Sequence, residues 1–158
     1  MNSPGPNVFP RDVQNVEDVA KLFIGNDLFQ FINIETNRYY EQNSNRRKQD
    51  KKSAKFVDVT AGELKKWFAL VILMKWIMKK ARMDDYWSTN PLLETPIFRK
   101  TMTRNRFKQI LLFLHFSNNS SRPDNTDRIF KVQPITDYFS KKFGEIFDFG
   151  QNIRSMKE

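Results

Sequence analysis

The chain has 158 residues, of which 39% are hydrophobic, and it carries a formal net charge of +9. This length is enough for one domain with its own core, and the fifteen Phe, three Trp and four Tyr supply large units of buried area. The absence of Cys excludes disulfides, a thiol nucleophile and a cysteine-based zinc site. No apolar run is long enough to span a bilayer, and the first residues lack the basic and apolar regions of a signal peptide, so an intracellular protein without a membrane segment is expected.

The positive charge is concentrated in the middle of the chain. Residues 46–108 carry seventeen basic and six acidic side chains, whereas residues 1–45 carry three and six, and residues 109–158 carry seven and six. A clustered excess of this kind attracts polyanions and gives salt-dependent binding through counterion release. Nucleic acid is therefore one expected partner, and a solvated basic face that serves solubility is the alternative.

The first elements are a polar lead-in and two helices. Residues 1–14 contain three Pro and one Gly and are expected to be disordered. Asn15 is predicted to cap a short helix that ends near Gly25, and Asn26 is predicted to start a longer one. The longer helix has a core-facing stripe at three- and four-residue steps: Leu28, Phe31, Ile32, Glu35 and Tyr39.

A polar and strongly basic segment follows, from Asn43 to Ser53. Its sequence, NSNRRKQDKKS, has no hydrophobic period and predicts an exposed loop or a frayed helix end. The RRK and KK clusters are typical of segments that bind phosphates or act as a nuclear localisation signal. Basic clusters are also common on solvated loops, so a role in solubility alone is the alternative.

A capping box opens the central helix. Thr60 is placed to cap this helix and Glu63 lies three residues further on. The run ELKKWFALVILMKWIMKKA keeps a helical period and is largely apolar on its other faces, so it predicts a buried helix. The adjacent carboxylates Asp84 and Asp85 then invite a metal hypothesis. Neighbouring helix positions point about 100° apart, however, so acids at a helix start are the preferred interpretation.

Two short helices are predicted next. Thr95 and Pro96 mark the start of the first, and Thr103 marks the start of the second. The tight turn and the cations that follow it are similar to a helix-turn-helix, although an ordinary αα-hairpin has the same pattern. His115 has no His or Cys nearby and is expected to be structural. The second helix has a predicted buried stripe: Phe107, Ile110, Leu111 and Leu114.

The last predicted helix begins at Pro134 and closes at Gly150. No segment shows a convincing strand alternation. The predicted fold is all-α: a single helical domain of about five to seven helices, with a disordered N-terminal lead-in and a basic loop near residues 43–55.

Several motifs are similar, in content and in order, to those of piggyBac-type transposases. They are ETNRY at 35–39, DYWST at 85–89, TRNRF and LHF within 103–116, and DRIFKVQP at 127–134. Lys75 departs from the pattern, because a small residue is expected there. The resemblance implies that residues 15–150 form the helical dimerisation and DNA-binding domain that precedes an RNase H-like catalytic domain. Residues 151–158 would then be the truncated or degenerate start of that catalytic domain.

The same resemblance bears on catalysis. In the family a phrase like GQN is followed by a strand of the SIDE type, whose Asp is the first metal-binding acid. Here residues 155–158 read SMKE: if they occupy the SIDE position, Lys157 replaces that acid, and a cation cannot ligate Mg²⁺; if the register is different, the expectation is that the sequence ends before that acid. Two-metal chemistry also needs two further acids from distant positions. The chain is therefore expected not to cut or join DNA, and no catalytic residue, metal site or cofactor is predicted.

The favoured function is a non-catalytic, transposase-derived DNA-binding and dimerisation module in the nucleus. Its expected partners are DNA and a second copy of the chain, with no membrane and no small-molecule substrate. One alternative is a fragment of an active transposase whose DNA cleavage and strand transfer are completed by downstream residues, and another is a helical interaction module that has lost DNA binding. The candidate phosphate contacts are ten cations: Arg46, Arg47, Lys48, Lys51, Lys52, Arg99, Lys100, Arg104, Arg106 and Lys108.

Overall fold

The computed structural model describes residues 5–6, 15–47, 56–77, 80–121 and 128–148. Most of the predicted lead-in, most of the basic segment and the tail at 151–158 lie outside these residues. The prediction of an all-α fold is confirmed, and the number of α-helices in the described ranges agrees with the predicted five to seven. The helices are α1 (Val16–Phe23), α2 (Asn26–Arg47), α3 (Ala61–Ile72), α4 (Pro96–Thr101), α5 (Arg104–Phe113) and α6 (Gln133–Ile146).

Shorter elements connect or follow these helices. A π-helical turn at Leu73–Ile77 follows α3, and a 3₁₀ turn at Met83–Trp87 precedes α4. Further 3₁₀ turns lie at Asn119–Ser121 and Arg128–Lys131. The sequence did not predict the one strand pair among the described residues. It joins β1 (Gly5–Pro6) to β2 (Phe147–Asp148) in antiparallel register, with Gly5 opposite Asp148.

The chain divides into two compact units, Met1–Leu28 with Arg122–Glu158, and Phe29–Ser121. The first unit contains α1 and α6. Asn15 caps α1 as predicted, because its side chain accepts a hydrogen bond from the Asp18 amide at 3.2 Å. The rings of Phe23 and Phe143 pack with centroids 5.0 Å apart.

A tyrosine adds polar contacts to this first unit. The Tyr138 hydroxyl donates to Asp27 Oδ1 at 3.0 Å and accepts from the Gly25 amide at 3.3 Å. A Cβ on Gly25 would collide with Asp27 Oδ1, so a larger residue between α1 and α2 requires the Asp27 carboxylate to move. The hydrogen bonds therefore fix the turn between the first two helices against α6.

The second unit has an aromatic core built on α3 and α5. Trp67 of α3 is buried, stacks on Phe107 of α5 at 5.2 Å, and donates from Nε1 to the Phe107 carbonyl at 3.1 Å. Trp87 donates to the Met102 carbonyl at 2.8 Å, so an indole also ties down the junction between α4 and α5. The buried side chains of these elements are Leu64, Trp67, Leu70, Trp87, Phe98, Met102, Phe107, Ile110 and Phe113.

The buried face of α5 differs from the predicted one by a small rotation. Phe107 and Ile110 are buried as expected, but Leu111 is 47% exposed and Phe113 is only 6% exposed. Phe113 is buried because its ring meets Tyr40 and Phe56, each at 5.0 Å. The helix therefore follows three-residue steps toward an aromatic cluster that its own sequence does not reveal.

The central helix is shorter than predicted. Helix α3 ends at Ile72, and the π-helical turn carries Trp76 out to 83% exposure. Ile72 is also exposed. The prediction of a helix buried on most sides is therefore wrong: one face of α3 is buried, with Leu64, Trp67 and Leu70, while Lys65, Lys66 and Ala69 are exposed. None of the helices in the described ranges combines the length and the apolar character that a membrane span requires.

The segment before α3 is held by α2. The Asn37 side chain donates to the Val59 carbonyl at 3.0 Å and accepts from the Val59 amide at 2.8 Å. Phe56 in the same segment stacks on Tyr40 at 4.2 Å. These contacts fix the backbone of Val57 and Asp58 beside the start of α3, and this placement matters for the site described next.

Candidate nucleic-acid interface

The first half of the predicted cation set falls mostly outside the described residues. Helix α2 extends to Arg47, so Arg46 and Arg47 belong to its last turn, and the predicted basic loop near residues 43–55 does not begin before residue 48. Their side-chain contacts, and the positions of Lys48, Lys51 and Lys52, are outside the part of the chain that the structure describes.

The second half of the set lies on α4 and α5. Thr103 caps α5 as predicted, accepting a hydrogen bond from the Arg106 amide at 3.3 Å. Met102 at the junction is buried, and its carbonyl is held by Trp87. The two helices are thereby fixed to one another. Their cations are Arg99 and Lys100 on α4, and Arg104, Arg106 and Lys108 on α5.

Arg106 is the most deeply placed of these cations. Its Nε and Nη2 donate to the two carboxylate oxygens of Glu63 at 2.6 and 2.7 Å, and Nη1 donates to the Val57 carbonyl at 2.8 Å. A further bond runs to the Asp58 carbonyl at 3.3 Å, and the side chain is only 15% exposed. Its donors are therefore committed inside the protein. This arrangement gives Arg106 a structural role and leaves it little capacity for a phosphate.

Arg104 and Lys108 share one counter-ion. Lys108 Nζ lies 2.5 Å from Asp84 Oδ1, and Arg104 lies 3.9 Å from Asp84 Oδ2. The hydrogen bond from Lys108 lowers the pKa of Asp84 below its ordinary value of 3.8, and the nearby cationic charges act in the same direction against the effect of burial. Asp84 lies in the first turn of the 3₁₀ element, as predicted for an acid at a helix start. Its carboxylate also forms ion pairs with Arg104 and Lys108 of α5, which the sequence did not predict.

The two cations of α4 differ. Arg99 is paired with Glu94, whereas Lys100 is exposed and has no ion pair with any of the described residues. Of the five cations on α4 and α5, Lys100 is thus the one whose charge is uncompensated by a described carboxylate. Sequence patterns alone do not distinguish Lys100 from the other cations, since Glu94 is the one pairing acid that lies close in sequence to its partner, while Asp84 and Glu63 are distant in sequence from α5.

An open groove lies beside Lys100, with a volume of about 550 Å³. It runs between the start of α3 and the α4–α5 junction, and it is lined by both Lys66 of α3 and Lys100 of α4. Lys66 is also exposed and has no ion pair with a described residue, and it is not among the ten cations predicted from the sequence. The groove is lined by Thr60, Gly62, Glu63, Lys66, Arg99, Lys100, Thr101, Met102, Thr103 and Arg106.

Metal-ligating side chains are not clustered in the described ranges. No group of three or more His, Asp or Glu side chains there is placed to hold a metal ion. His115 stacks on Tyr39 at 4.0 Å, its amide donates to the Thr36 hydroxyl at 3.3 Å, and its ring contacts Asn119 at 3.1 Å. These contacts agree with the structural role expected for this histidine.

Comparison with known proteins gives the ancestry of the chain. The family model described as "Transposase IS4" matches residues 18–155. PiggyBac transposable element-derived protein 2 of Homo sapiens is 29% identical over 140 residues, covering 84% of this chain. The chain spans 22% of the length of that relative. No solved structure matches the chain. Because the family model covers most of the sequence, and the relative agrees with it, this chain belongs to the piggyBac-type branch of the transposase family.

Proposed function

We propose that this region is a transposase-derived DNA-binding and dimerisation module. The observation that carries the proposal is the charge of residues 46–108, seventeen basic against six acidic, in a chain of the transposase family. Transposases act on DNA, and a clustered cationic surface supplies affinity for the phosphate backbone without selecting a sequence. The contacts assigned to DNA are the basic segment Arg46–Lys52 and the outer cations of α4 and α5.

The cations on α4 and α5 contribute unequally to this proposal. Lys100 is free of described ion pairs. Arg99, Arg104 and Lys108 form partly exposed ion pairs, and a phosphate is proposed to take the place of the paired carboxylate. Arg106 is assigned to the scaffold because its donors are held by Glu63 and two carbonyls. DNA contact by this surface is thus expected to be electrostatic and tolerant of sequence.

A salt series tests DNA binding. The affinity of the full chain for a short labelled duplex of random sequence is measured by fluorescence anisotropy from about 50 to about 200 mM salt. The logarithm of the affinity is expected to fall linearly with the logarithm of salt concentration, because counterions are released on binding. A chain that does not bind the duplex even at the lowest salt concentration would leave the interaction-module alternative in place.

We propose that the 158 residues of this chain do not catalyse DNA cleavage. In the register that puts SMKE at the SIDE position, Lys157 stands where the family has its first metal-binding acid, and two-metal strand cleavage needs three acids brought together. The chain is therefore proposed to bind DNA without cutting it. Incubation of supercoiled plasmid with the chain and Mg²⁺ is expected to leave the plasmid intact. Nicking that disappears in a D84N or D85N variant would instead show catalysis by this chain.

Self-association is the finer part of the proposal. Ile72 is the last residue of α3, Trp76 lies in the π-helical turn that follows, and both are exposed. An exposed pair of this size supports contact with a second copy of the chain. Sedimentation equilibrium is expected to give a dimer mass for the wild type and a monomer mass for the W76E variant, and a wild-type monomer at all concentrations would contradict this part.

The proposed location is the nucleus, where the expected DNA partner is found. The RRK and KK clusters of residues 46–52 support this location as basic import signals. A fluorescent fusion of the chain is expected to accumulate in nuclei and to become diffuse when those five cations are changed to Ala. Equal distributions for the two fusions would remove the support that this segment gives.

A further inference from the structure

The groove between the start of α3 and the α4–α5 junction has an uneven set of charges. Glu63 and Arg106 on its wall neutralise one another through a bidentate pair, and Arg99 is paired with Glu94 outside it. Lys66 and Lys100 remain, each exposed and without an ion pair among the described residues. Two uncompensated ammonium groups therefore face the same open space, and this space attracts anions.

The polar groups of the groove are mainly donors. Thr60 and Thr103 each accept a backbone amide hydrogen bond with their hydroxyl oxygen, so each O–H hydrogen stays available. Thr101 adds a third hydroxyl to the lining. The one carboxylate in the lining belongs to Glu63, and each of its two oxygens accepts a short hydrogen bond from Arg106. A ligand that only accepts hydrogen bonds and carries negative charge, such as a phosphate, matches this set.

The wall of the groove is open at Gly62. A Cβ built at this position meets no heavy atom within 4 Å, so the backbone of the first turn of α3 is accessible from the groove. Met102 is the only apolar side chain in the lining apart from aliphatic stems, which disfavours a hydrophobic ligand. The positive ends of α3 and α5 add a smaller favourable potential to that of the two lysines.

We propose that this groove holds a backbone phosphate of DNA, with Lys66 and Lys100 as its charged contacts. The inference rests on the proposed DNA-binding function and assigns one place on the surface to it. It adds Lys66 to the interface and removes Arg106 from it. The chemistry required is that of a phosphodiester, and free inorganic phosphate offers the same oxygens, so the experiments below separate the two.

The first experiment compares two double variants with equal charge changes. K66Q/K100Q removes the two groove lysines, whereas K75Q/K131Q removes two exposed lysines that have no described ion pair and do not line the groove. Binding of the labelled random duplex is measured across the salt series. The groove variant is expected to lose about tenfold in affinity and to reduce the salt slope by about one, because each phosphate neutralised contributes about one unit. The control variant is expected to retain the wild-type slope.

The second experiment adds a negative charge without removing a lysine. G62E places a carboxylate in the groove at a site with free space, and G144E makes the same change at an open position on α6. G62E is expected to weaken duplex binding about tenfold or more, while G144E stays close to wild type. Circular dichroism confirms that each variant is folded, and the first turn of a helix accepts an acid well, so loss of binding by G62E cannot be assigned to unfolding.

The outcomes distinguish the groove from the general function. If the wild type binds DNA and the K66Q/K100Q and K75Q/K131Q variants lose affinity equally, or neither loses affinity, the groove assignment is overturned and DNA binding stays in place. No binding by the wild type would overturn both. If titration with inorganic phosphate shows uptake that needs Lys66 and Lys100 while DNA affinity does not depend on them, the groove is a free-anion site and the DNA assignment fails.

Discussion

Arg106 of α5 forms a bidentate ion pair with Glu63 of α3, with hydrogen bonds of 2.6 and 2.7 Å, although the residues are 43 positions apart in the sequence. The same guanidinium reaches the carbonyls of Val57 and Asp58, which α2 holds in place through Asn37 and Val59. One arginine thus joins α5, the start of α3 and the segment before it. A planar fork with five donors suits this task, and a lysine does not.

Replacement of Arg106 is expected to destabilise the fold. R106K keeps the charge but cannot form the bidentate pair or reach both carbonyls, so we expect a loss of about 2 kcal/mol in the free energy of unfolding, measured by urea denaturation. R104K is the matched control on the same helix, because its 3.9 Å pair with Asp84 is exposed, and it should change stability little. Equal effects of the two changes would contradict the structural role of Arg106.

The carboxylate of Asp84 is expected to limit the charge that α5 presents to DNA. D84N removes the shared partner of Arg104 and Lys108 and frees both cations. The variant should bind the random duplex a few-fold more tightly than the wild type at low salt, with a steeper salt slope. D85N is the adjacent control, and an unchanged affinity for D84N would show that these cations do not contact DNA.

The same carboxylate gives a pH dependence of stability. The pKa of Asp84 is lowered in the folded state, chiefly by the hydrogen bond from Lys108, so the unfolded chain binds the proton more tightly. The contribution of the ion pairs is therefore present above the ordinary value of 3.8 and is lost as pH falls through the lower folded-state value. Urea unfolding of the wild type should lose stability in this acid range more steeply than that of D84N. Parallel profiles for the two proteins would exclude the effect.

The three tryptophans are expected to report different surroundings. Trp76 is 83% exposed, whereas Trp67 and Trp87 are buried and hydrogen-bonded to the carbonyls of Phe107 and Met102. W76F should remove most of the fluorescence that acrylamide quenches in dilute monomeric protein and should leave stability nearly unchanged. W87F should retain that quenching and cost about 2 kcal/mol, because it leaves a buried carbonyl without its donor and a gap in the core. A reversed pattern would place Trp76 in the core.

The hydroxyl of Tyr138 is expected to stabilise the unit formed by α1 and α6. Y138F removes the hydrogen bonds to Asp27 and to the Gly25 amide, so it should lower the free energy of unfolding by about 1 kcal/mol. Y40F is the matched control, since the ring of Tyr40 packs on Phe56 and no described hydrogen bond involves its hydroxyl. Chemical denaturation of both variants checks this, and equal losses would argue against the Tyr138 contacts.

Local sequence signals predicted the helix starts well. Asn15, Thr60 and Thr103 cap α1, α3 and α5 as predicted. A cap can be predicted from local sequence because its side chain bonds to a backbone amide only three residues further along the chain. Glu63 shows the limit of such signals. It lies where a capping box places an acid, but its carboxylate is bound by Arg106 from another helix. Tertiary partners of this kind have no signature in the local pattern.

The site was less predictable than the fold for the same reason. The sequence marks Arg99, Lys100, Arg104, Arg106 and Lys108 as equivalent cations, and only the folded chain separates paired from unpaired ones. Lys66 has no local sequence feature that marks it as part of the site, because nothing in its neighbourhood indicates that α3 starts beside the α4–α5 junction. The rotation of α5 toward Phe113 has a similar origin, since the cluster it meets comes from Tyr40 and Phe56.

The open space at Gly62 lets the surface and the core of this fold change independently during evolution. A Cβ there meets no heavy atom within 4 Å, so folding places little constraint on adding a side chain at this position. A single substitution to an acid would therefore weaken the proposed anion binding while the aromatic core stays intact. Among descendants of a mobile element, a carboxylate at this position would mark lineages that retained the helical scaffold for protein contacts and gave up DNA.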